Sequence, residues 1–201
     1  MASSFPVRGR FFEYLLAVNR QQLDGFKHWL FHPGMLFQSH QQWWGAKKPR
    51  PAPHEGLDLC WFADLGGNRR HLDGAVSVPA TFPGLIVKIH RDFLGQSIYV
   101  GHDLWDPAGR RLHTVYGHTR PRADLGTGQE VGAGDIIAAI SPSPRRLTQV
   151  PAHLHLTLAW IPGSLNPAGL TWDNLGVEPT ISLLNPLTVF PTPFVVLPAA
   201  S

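Results

Sequence analysis

GLIVKIHRDFLGQSIYVGHDLWDPAGRRLHTVYGH, residues 84–118, is the stretch that decides how the chain folds. It holds three short runs, GLIVKI (84–89), QSIYVGH (96–102) and HTVYGH (113–118). Each is rich in the β-branched and aromatic residues that suit a pleated, half-buried surface. Breakers such as Pro107-Ala108-Gly109 separate them. The same grammar extends outward in both directions, to LDLCWFA (57–63), DIIAAI (135–140) and AHLHLTLAW (152–160). Turn residues stand between these runs at Gly66-Gly67-Asn68, Gly126-Thr127-Gly128 and Gly132-Ala133-Gly134. Short strands at this spacing predict a mostly-β, antiparallel sandwich or barrel-sandwich.

The flanks read differently. Phe12, Leu15, Leu16, Leu23, Phe26 and Leu30 recur at roughly helical spacing, so 9–31 is expected to be an N-terminal helix, ended by Pro33-Gly34. Residues 35–53 read as a loop carrying Trp43-Trp44 and the breaker-rich AKKPRPAP. Residues 161–201 are Pro-rich and expected to be mostly irregular, with a final apolar run at 194–197. The organisation expected is a helical extension at 1–34, one domain at 35–190 and a tail at 191–201. No internal repeat is present.

Hydrophobic residues make up 43% of the 201, enough for a real core, whereas charged residues reach only 15%. Twenty Gly and nineteen Pro agree with many turns and few long charged helices. The net charge of +3 suits an anionic partner without selecting one. Basic residues occur only in short pairs such as Lys47-Lys48 and Arg145-Arg146. No basic stripe interleaves with aromatics, which speaks against nucleic acid. A single cysteine, Cys60, excludes an intramolecular disulfide and sits in an apolar run as an expected core residue. No apolar run approaches the roughly 18 residues of a transmembrane helix. The first twenty residues, interrupted by Glu13, lack a clear signal peptide.

Eleven histidines are many for this length, and two groupings stand out. His54 and Asp58 form H-x-x-x-D, with Gly56 between them permitting a sharp backbone course. His153 and His155 form H-x-H and share one face of a strand, leaving Leu154, Leu156 and Leu158 to face the core. Imidazoles with one carboxylate are a donor set for catalytic zinc, the fourth position being left to water. His28 and His32 are also four apart, but Pro33 follows and no third donor is near, so they are expected at the surface or in the core. His40, His71, His90, His102 and His113 fall into no pattern and read as structural.

The ordered set of HEGLD (54–58), VYGH (115–118) and HLH (153–155) resembles the lysostaphin-type, LytM-like zinc endopeptidases. The connecting segments VPATFPGLIV (78–87), LGTGQEVGAGDIIAAI (125–140) and NPL (185–187) are similar as well, so the resemblance spans about residues 35–190. It implies a β-sandwich of the duplicated hybrid type and zinc held by His54, Asp58 and His155. It also implies that His118 and His153 are catalytic histidines, orienting water and stabilising the intermediate. The implied substrate is a peptide bond in peptidoglycan cross-bridges or stem peptides, in a periplasmic or extracellular setting. The chain departs from the pattern at SPSPRRLTQVP before H-x-H and at Leu156-Thr157 after it, near the substrate groove.

Two other readings compete. One is a non-catalytic domain of the same fold that holds zinc or binds a partner, regulating cell-wall hydrolases. The other is a lipoyl-like or phosphocarrier module, suggested by VGAGDII, which lacks a Lys at a hairpin tip and has no use for Asp58. Trp43 and Trp44 either wall the groove or cap the core, the second being favoured. Arg50 either meets a substrate carboxylate or is solvated.

Overall fold

The computed structural model describes residues 7–46, 48–143, 150–176 and 179–198. Lys47 and the pair Arg145-Arg146, with the rest of 144–149 before H-x-H, lie outside the described residues. In chain order the elements are α1 (Phe11–Val18), β1 (Phe26–Phe31), β2 (Leu57–Leu59), β3 (Trp61–Asp64), β4 (Arg69–His71), β5 (Ser77–Pro79), β6 (Gly84–Arg91), β7 (Gln96–Trp105), β8 (Arg110–Pro121), β9 (Glu130–Val131), β10 (Ile136–Ile140), β11 (Leu154–Pro162), α2 (Trp172–Leu175), β12 (Ser182–Leu184), α3 (Pro186–Val189) and β13 (Phe194–Val196).

The strands form two sheets. The larger runs β12-β11-β8-β7-β6-β9, with β2 paired to β11 and β10 bridging β8 and β5. The smaller runs β13-β1-β3-β4. One apolar core joins them, containing Trp29 and Phe62 from the smaller sheet and Leu154, Leu156 and Leu158 from β11. The mostly-β, antiparallel expectation with an N-terminal helix therefore holds. Among the described residues no helix is long and apolar enough to cross a membrane.

The single helix expected over 9–31 is corrected: a two-turn helix ends at Val18, and Phe26–Phe31 is a strand. Gly25, at φ 66°, makes the turn between them in a backbone conformation that favours glycine. The apolar spacing that looked helical is split between two elements. Phe12 packs on Trp29 at 5.7 Å and Phe26 on Trp29 at 5.0 Å, an aromatic cluster that a continuous helix would not make. α1 is fastened to β5 by Asn19, whose amide donates to Ser77 O at 2.8 Å and accepts from Ser77 N at 2.7 Å.

LDLCWFA is likewise two strands. Leu57–Leu59 pairs with β11, whereas Trp61–Asp64 pairs with β1 in the other sheet, the chain crossing at buried Cys60. A run buried on both faces carries no alternation to mark that crossing. The 161–201 segment is also more ordered than expected, since it supplies α2, β12, α3 and β13. β13 lies parallel to β1, with Trp29 opposite Phe194, so the two flanks of the chain meet in the smaller sheet.

A polar chain runs through the interior beside β7 and β8. His102 Nδ1–H donates to Pro83 O at 2.9 Å, and its Nε2 accepts from Thr114 Oγ1 at 2.8 Å. Thr114, Thr81 and the Tyr116 hydroxyl continue it. Burial pushes the His102 and His113 imidazoles down to about 4, so both are neutral at pH 7. In the unfolded chain they titrate near 6.5, so as pH falls from about 6.5 to about 4 the unfolded state takes up protons that the fold refuses. Stability is expected to decline across that window. Urea midpoints measured through it should fall, and fall less steeply in His102→Gln; a midpoint flat with pH would contradict this.

Candidate metal and catalytic site

The site is assembled by strand register. His155 on β11 lies opposite Asp58 on β2 and opposite Gly117 on β8. Residues directly opposite in antiparallel strands project to the same face. Asp58 and His155 therefore point together out of one end of the sheet. Gly117 leaves a gap that the Trp172 ring fills, since a Cβ there would lie 2.6 Å from the ring. His54 reaches the same point from the loop before β2. Its backbone is pinned to the 36–40 segment by Gln38 N donating to His54 O and His54 N donating to Ser39 O.

Three donor atoms converge. His54 Nε2 is 3.3 Å from Asp58 Oδ1 and 3.2 Å from His155 Nδ1, and His155 Nδ1 is 2.8 Å from Asp58 Oδ1. Tetrahedral coordination with bonds of about 2.0–2.1 Å places donors roughly 3.3 Å apart, so the spacing fits a metal ion with little adjustment. All three side chains are buried.

The opposite atom of each donor is tied elsewhere. His54 Nδ1–H donates to Leu36 O at 3.0 Å. Asp58 Oδ2 accepts from Trp43 Nε1–H at 2.6 Å, with the Arg50 guanidinium 3.6 Å away. His155 Nε2 bonds the Thr157 hydroxyl at 2.8 Å. Such outer contacts fix the tautomer and orientation of metal-binding groups. Burial alone would raise the Asp58 carboxyl, but the histidines around it hold it well below the usual carboxylate range. Burial pushes the His155 imidazole down despite its bond to Asp58. Donors deprotonated at neutral pH are what a metal requires.

Beside this cluster is a cavity of about 380 Å³. His153 and His118 both face it, their rings 4.7 Å apart. His153 Nδ1–H donates to Pro151 O at 2.8 Å, leaving Nε2 bare and 3.9 Å from Asp58 Oδ1. Burial pushes this imidazole down to about 3, so it is neutral at pH 7. His118 adopts φ 61°, a left-handed conformation that costs a non-glycine residue roughly 1–2 kcal/mol. Trp172 stacks on His118 at 6.1 Å and meets His155 edge-on at 4.4 Å.

The structure brings all five residues singled out from the motifs to this one end of the sheet. His28 and His32 are on and just after β1, half-buried and outside the three-donor group. Trp43 is buried yet bonds Asp58, so it belongs to the site as well as the core. Trp44 lines the cavity, and Arg50 lies over its ring. Sequence reading missed Glu55, Phe93, Thr171 and Trp172 on the cavity wall, and Asp92 behind His118. His90 reads as structural, yet it lines the cavity with a buried Nδ1 that has no hydrogen-bond partner among the described residues. Apart from Glu55, inside HEGLD, none of these sits in a short motif, and only the fold brings them near.

No protein-family model matches the chain, and none of the curated proteins does. Solved structures do. They include the SpoIIQ–SpoIIIAH pore-forming complex, 21% identical over 69% of this chain and 66% of that one, with a TM-score of 0.42. The catalytic domain of the prophage-encoded M23 protein EnpA from Enterococcus faecalis is 24% identical over 59% of this chain and 78% of that one, with a TM-score of 0.35. Lysostaphin is 18% identical over 68% of this chain and 51% of that one, with a TM-score of 0.38. Two of these, EnpA and lysostaphin, are by name of the lysostaphin and M23 type that the sequence motifs resemble.

Gly56 is where the sequence and the site meet most tightly. A Cβ there would lie 2.4 Å from Leu156 O, 2.7 Å from His155 Nε2 and 2.8 Å from Thr157 Oγ1. Gly56→Ala is expected to destabilise by about 1–3 kcal/mol through overpacking, because the nearest obstacle is strand backbone. Urea denaturation would check this, and an unchanged midpoint would count against the close approach.

Proposed function

We propose that the chain is a zinc-dependent endopeptidase that hydrolyses peptide bonds, with peptidoglycan cross-bridges or stem peptides as its substrate. The observation that carries this reading is the geometry of His54 Nε2, Asp58 Oδ1 and His155 Nδ1. Three donor atoms, mutually 2.8–3.3 Å apart, lie beside a cavity that Asp58, His155 and three further histidines, His90, His118 and His153, line. Two imidazoles and a carboxylate suit zinc, and three protein ligands leave a position open for chemistry. The substrate class rests on the resemblance of HEGLD, VYGH and HLH. The peptidase unit is placed at 35–190, with 1–34 and 191–201 as flanks.

His54, Asp58 and His155 would hold the metal, whose Lewis acidity polarises a carbonyl and lowers the pKa of water. The remaining work falls to the chain. His153, neutral and open at Nε2, takes the proton from attacking water. The proton taken by His153 passes to the leaving amine, and His118, whose ring lies 4.7 Å from that of His153, accepts a hydrogen bond from the attacking water and so orients it. Trp43 and Thr157 keep the ligands from turning, and Trp172 and Trp44 wall the cleft.

Elemental analysis of protein purified without added metal should give about one zinc per chain, lost in Asp58→Ala and His155→Ala. Purified cell walls should then lose turbidity with the parent chain and not with either variant. Zinc absent from the parent would sink the reading. Zinc present without cleavage of any wall preparation would leave the non-catalytic alternative in its place. Trp43→Phe keeps most of the ring and removes the hydrogen bond to Asp58, so zinc affinity should fall by about 10–100-fold in chelator competition. An unchanged affinity would show that this bond does not tune the ligand.

A further inference from the structure

Asp92 lies at the end of β6 in no motif, and its side chain is only 1% exposed. Its carboxylate is surrounded by donors. Oδ1 accepts from Leu94 N at 2.9 Å and Gly95 N at 2.7 Å, closing the turn between β6 and β7. Oδ2 accepts from Ser97 Oγ at 2.7 Å and from the backbone N–H of His118 at 2.9 Å. The His118 carbonyl is held in turn by Ser141 N at 2.8 Å. Both backbone groups of His118 are thus fixed at the residue whose φ is left-handed. That conformation persists only where its surroundings over-determine it.

The ring is addressed by the same carboxylate. His118 Nδ1 is buried, 3.2 Å from Asp92 Oδ1, and has no aligned hydrogen-bond partner among the described residues. A proton on Nδ1 therefore has Asp92 as its acceptor, and hydrogen bonds of this kind tighten when substrate arrives. Nε2, on the opposite side of the ring, is the nitrogen left for the cavity. Ser97 extends the arrangement, since its hydroxyl also accepts from Trp172 Nε1–H at 3.2 Å, and Trp172 stacks on His118.

We propose that Asp92 is the positioning residue for His118: it locks the left-handed backbone, holds the neutral imidazole as the Nδ1–H tautomer, and so directs a bare Nε2 into the cleft. The catalytic consequence rests on the peptidase reading; the tautomer does not. A carboxylate behind a histidine matters in this way because the wrong tautomer presents a proton where an acceptor is needed.

The test is the His118 tautomer, read from long-range 15N–1H spectra of histidine-labelled protein at alkaline pH, above the range in which an ordinary imidazole titrates. His118→Gln assigns the signal. The expected result in the parent chain is a proton on Nδ1; a proton on Nε2 overturns the proposal without any variant having to fold. In Asp92→Asn a carboxamide N–H2 turned towards Nδ1 needs an acceptor there, which shifts the tautomer towards Nε2–H; Asp92→Ala, which leaves Nδ1 no acceptor on this side, should shift it as well, and an unchanged tautomer in both variants also overturns the proposal. On cell-wall substrate, Asp92→Asn should lower kcat by about 100-fold or more with KM changed less than about threefold, as for loss of a histidine's orienting carboxylate. An unchanged kcat would remove the positioning role. If the parent chain cleaves no wall substrate, the peptidase reading fails while the spectra still decide whether Asp92 sets the tautomer.

Discussion

The buried carboxylate of Asp58 is the constraint on which the rest of the site depends. An ionised carboxylate removed from water is tolerated only where donors surround it. Here Trp43 and Arg50 supply them to one oxygen, and the other lies 2.8–3.3 Å from the ring nitrogens of His54 and His155, where a metal would sit. Trp43 and Arg50 arrive on the 35–53 loop, His54 from just before β2 and His155 on β11, so one carboxylate ties these segments together. The Trp43 contact is why a tryptophan in an irregular segment is buried. Its ring belongs to the apolar core and its N–H to the polar site.

The same economy appears on the far wall. Asp92 is a second buried carboxylate that organises a turn, a strained backbone and an imidazole at once. Burial would raise its carboxyl, but its bonds to His118 and Ser97 hold it well below the usual range. Between the two carboxylates lie His153 and His118, their rings 4.7 Å apart on the cavity wall. The contrast between them is physical. His153 is anchored by a backbone carbonyl and stays neutral because it is buried, whereas His118 is anchored by a charge. Trp172 joins both halves, meeting His155 edge-on and His118 face-on, and it can do so only because residue 117 is glycine.

The strands β6, β7, β8, β10 and β11 are legible because each is a short run of β-branched and aromatic residues between turn residues. His54 with Asp58, and His153 with His155, are legible because polar donors stand at fixed spacing within runs that otherwise build the core. Residues 9–31 are misread for a definite reason. Apolar residues from α1 and β1 add up to a helical period, and only Gly25 at positive φ separates them. LDLCWFA is misread because a segment buried on both faces has no alternation to show where it changes sheet. Asp92, Trp172 and His90 are invisible for another reason, since their importance lies in what they touch and nothing near them in sequence announces it.

The sequence alone thus determined the local choices: which runs are extended, where the chain must turn, and which donors are available in pairs. Those choices depend on steric preference and hydrophobic alternation over a few residues, which a linear text records. The tertiary structure decided the rest: that β2 pairs with β11 so that Asp58 stands opposite His155, that Gly117 makes room for Trp172, and that Asp92 lies behind His118. These are matters of register and of contact between residues as much as about a hundred positions apart, such as His54 and His155. They are set by the collective demand to fill one core and leave no buried charge without partners.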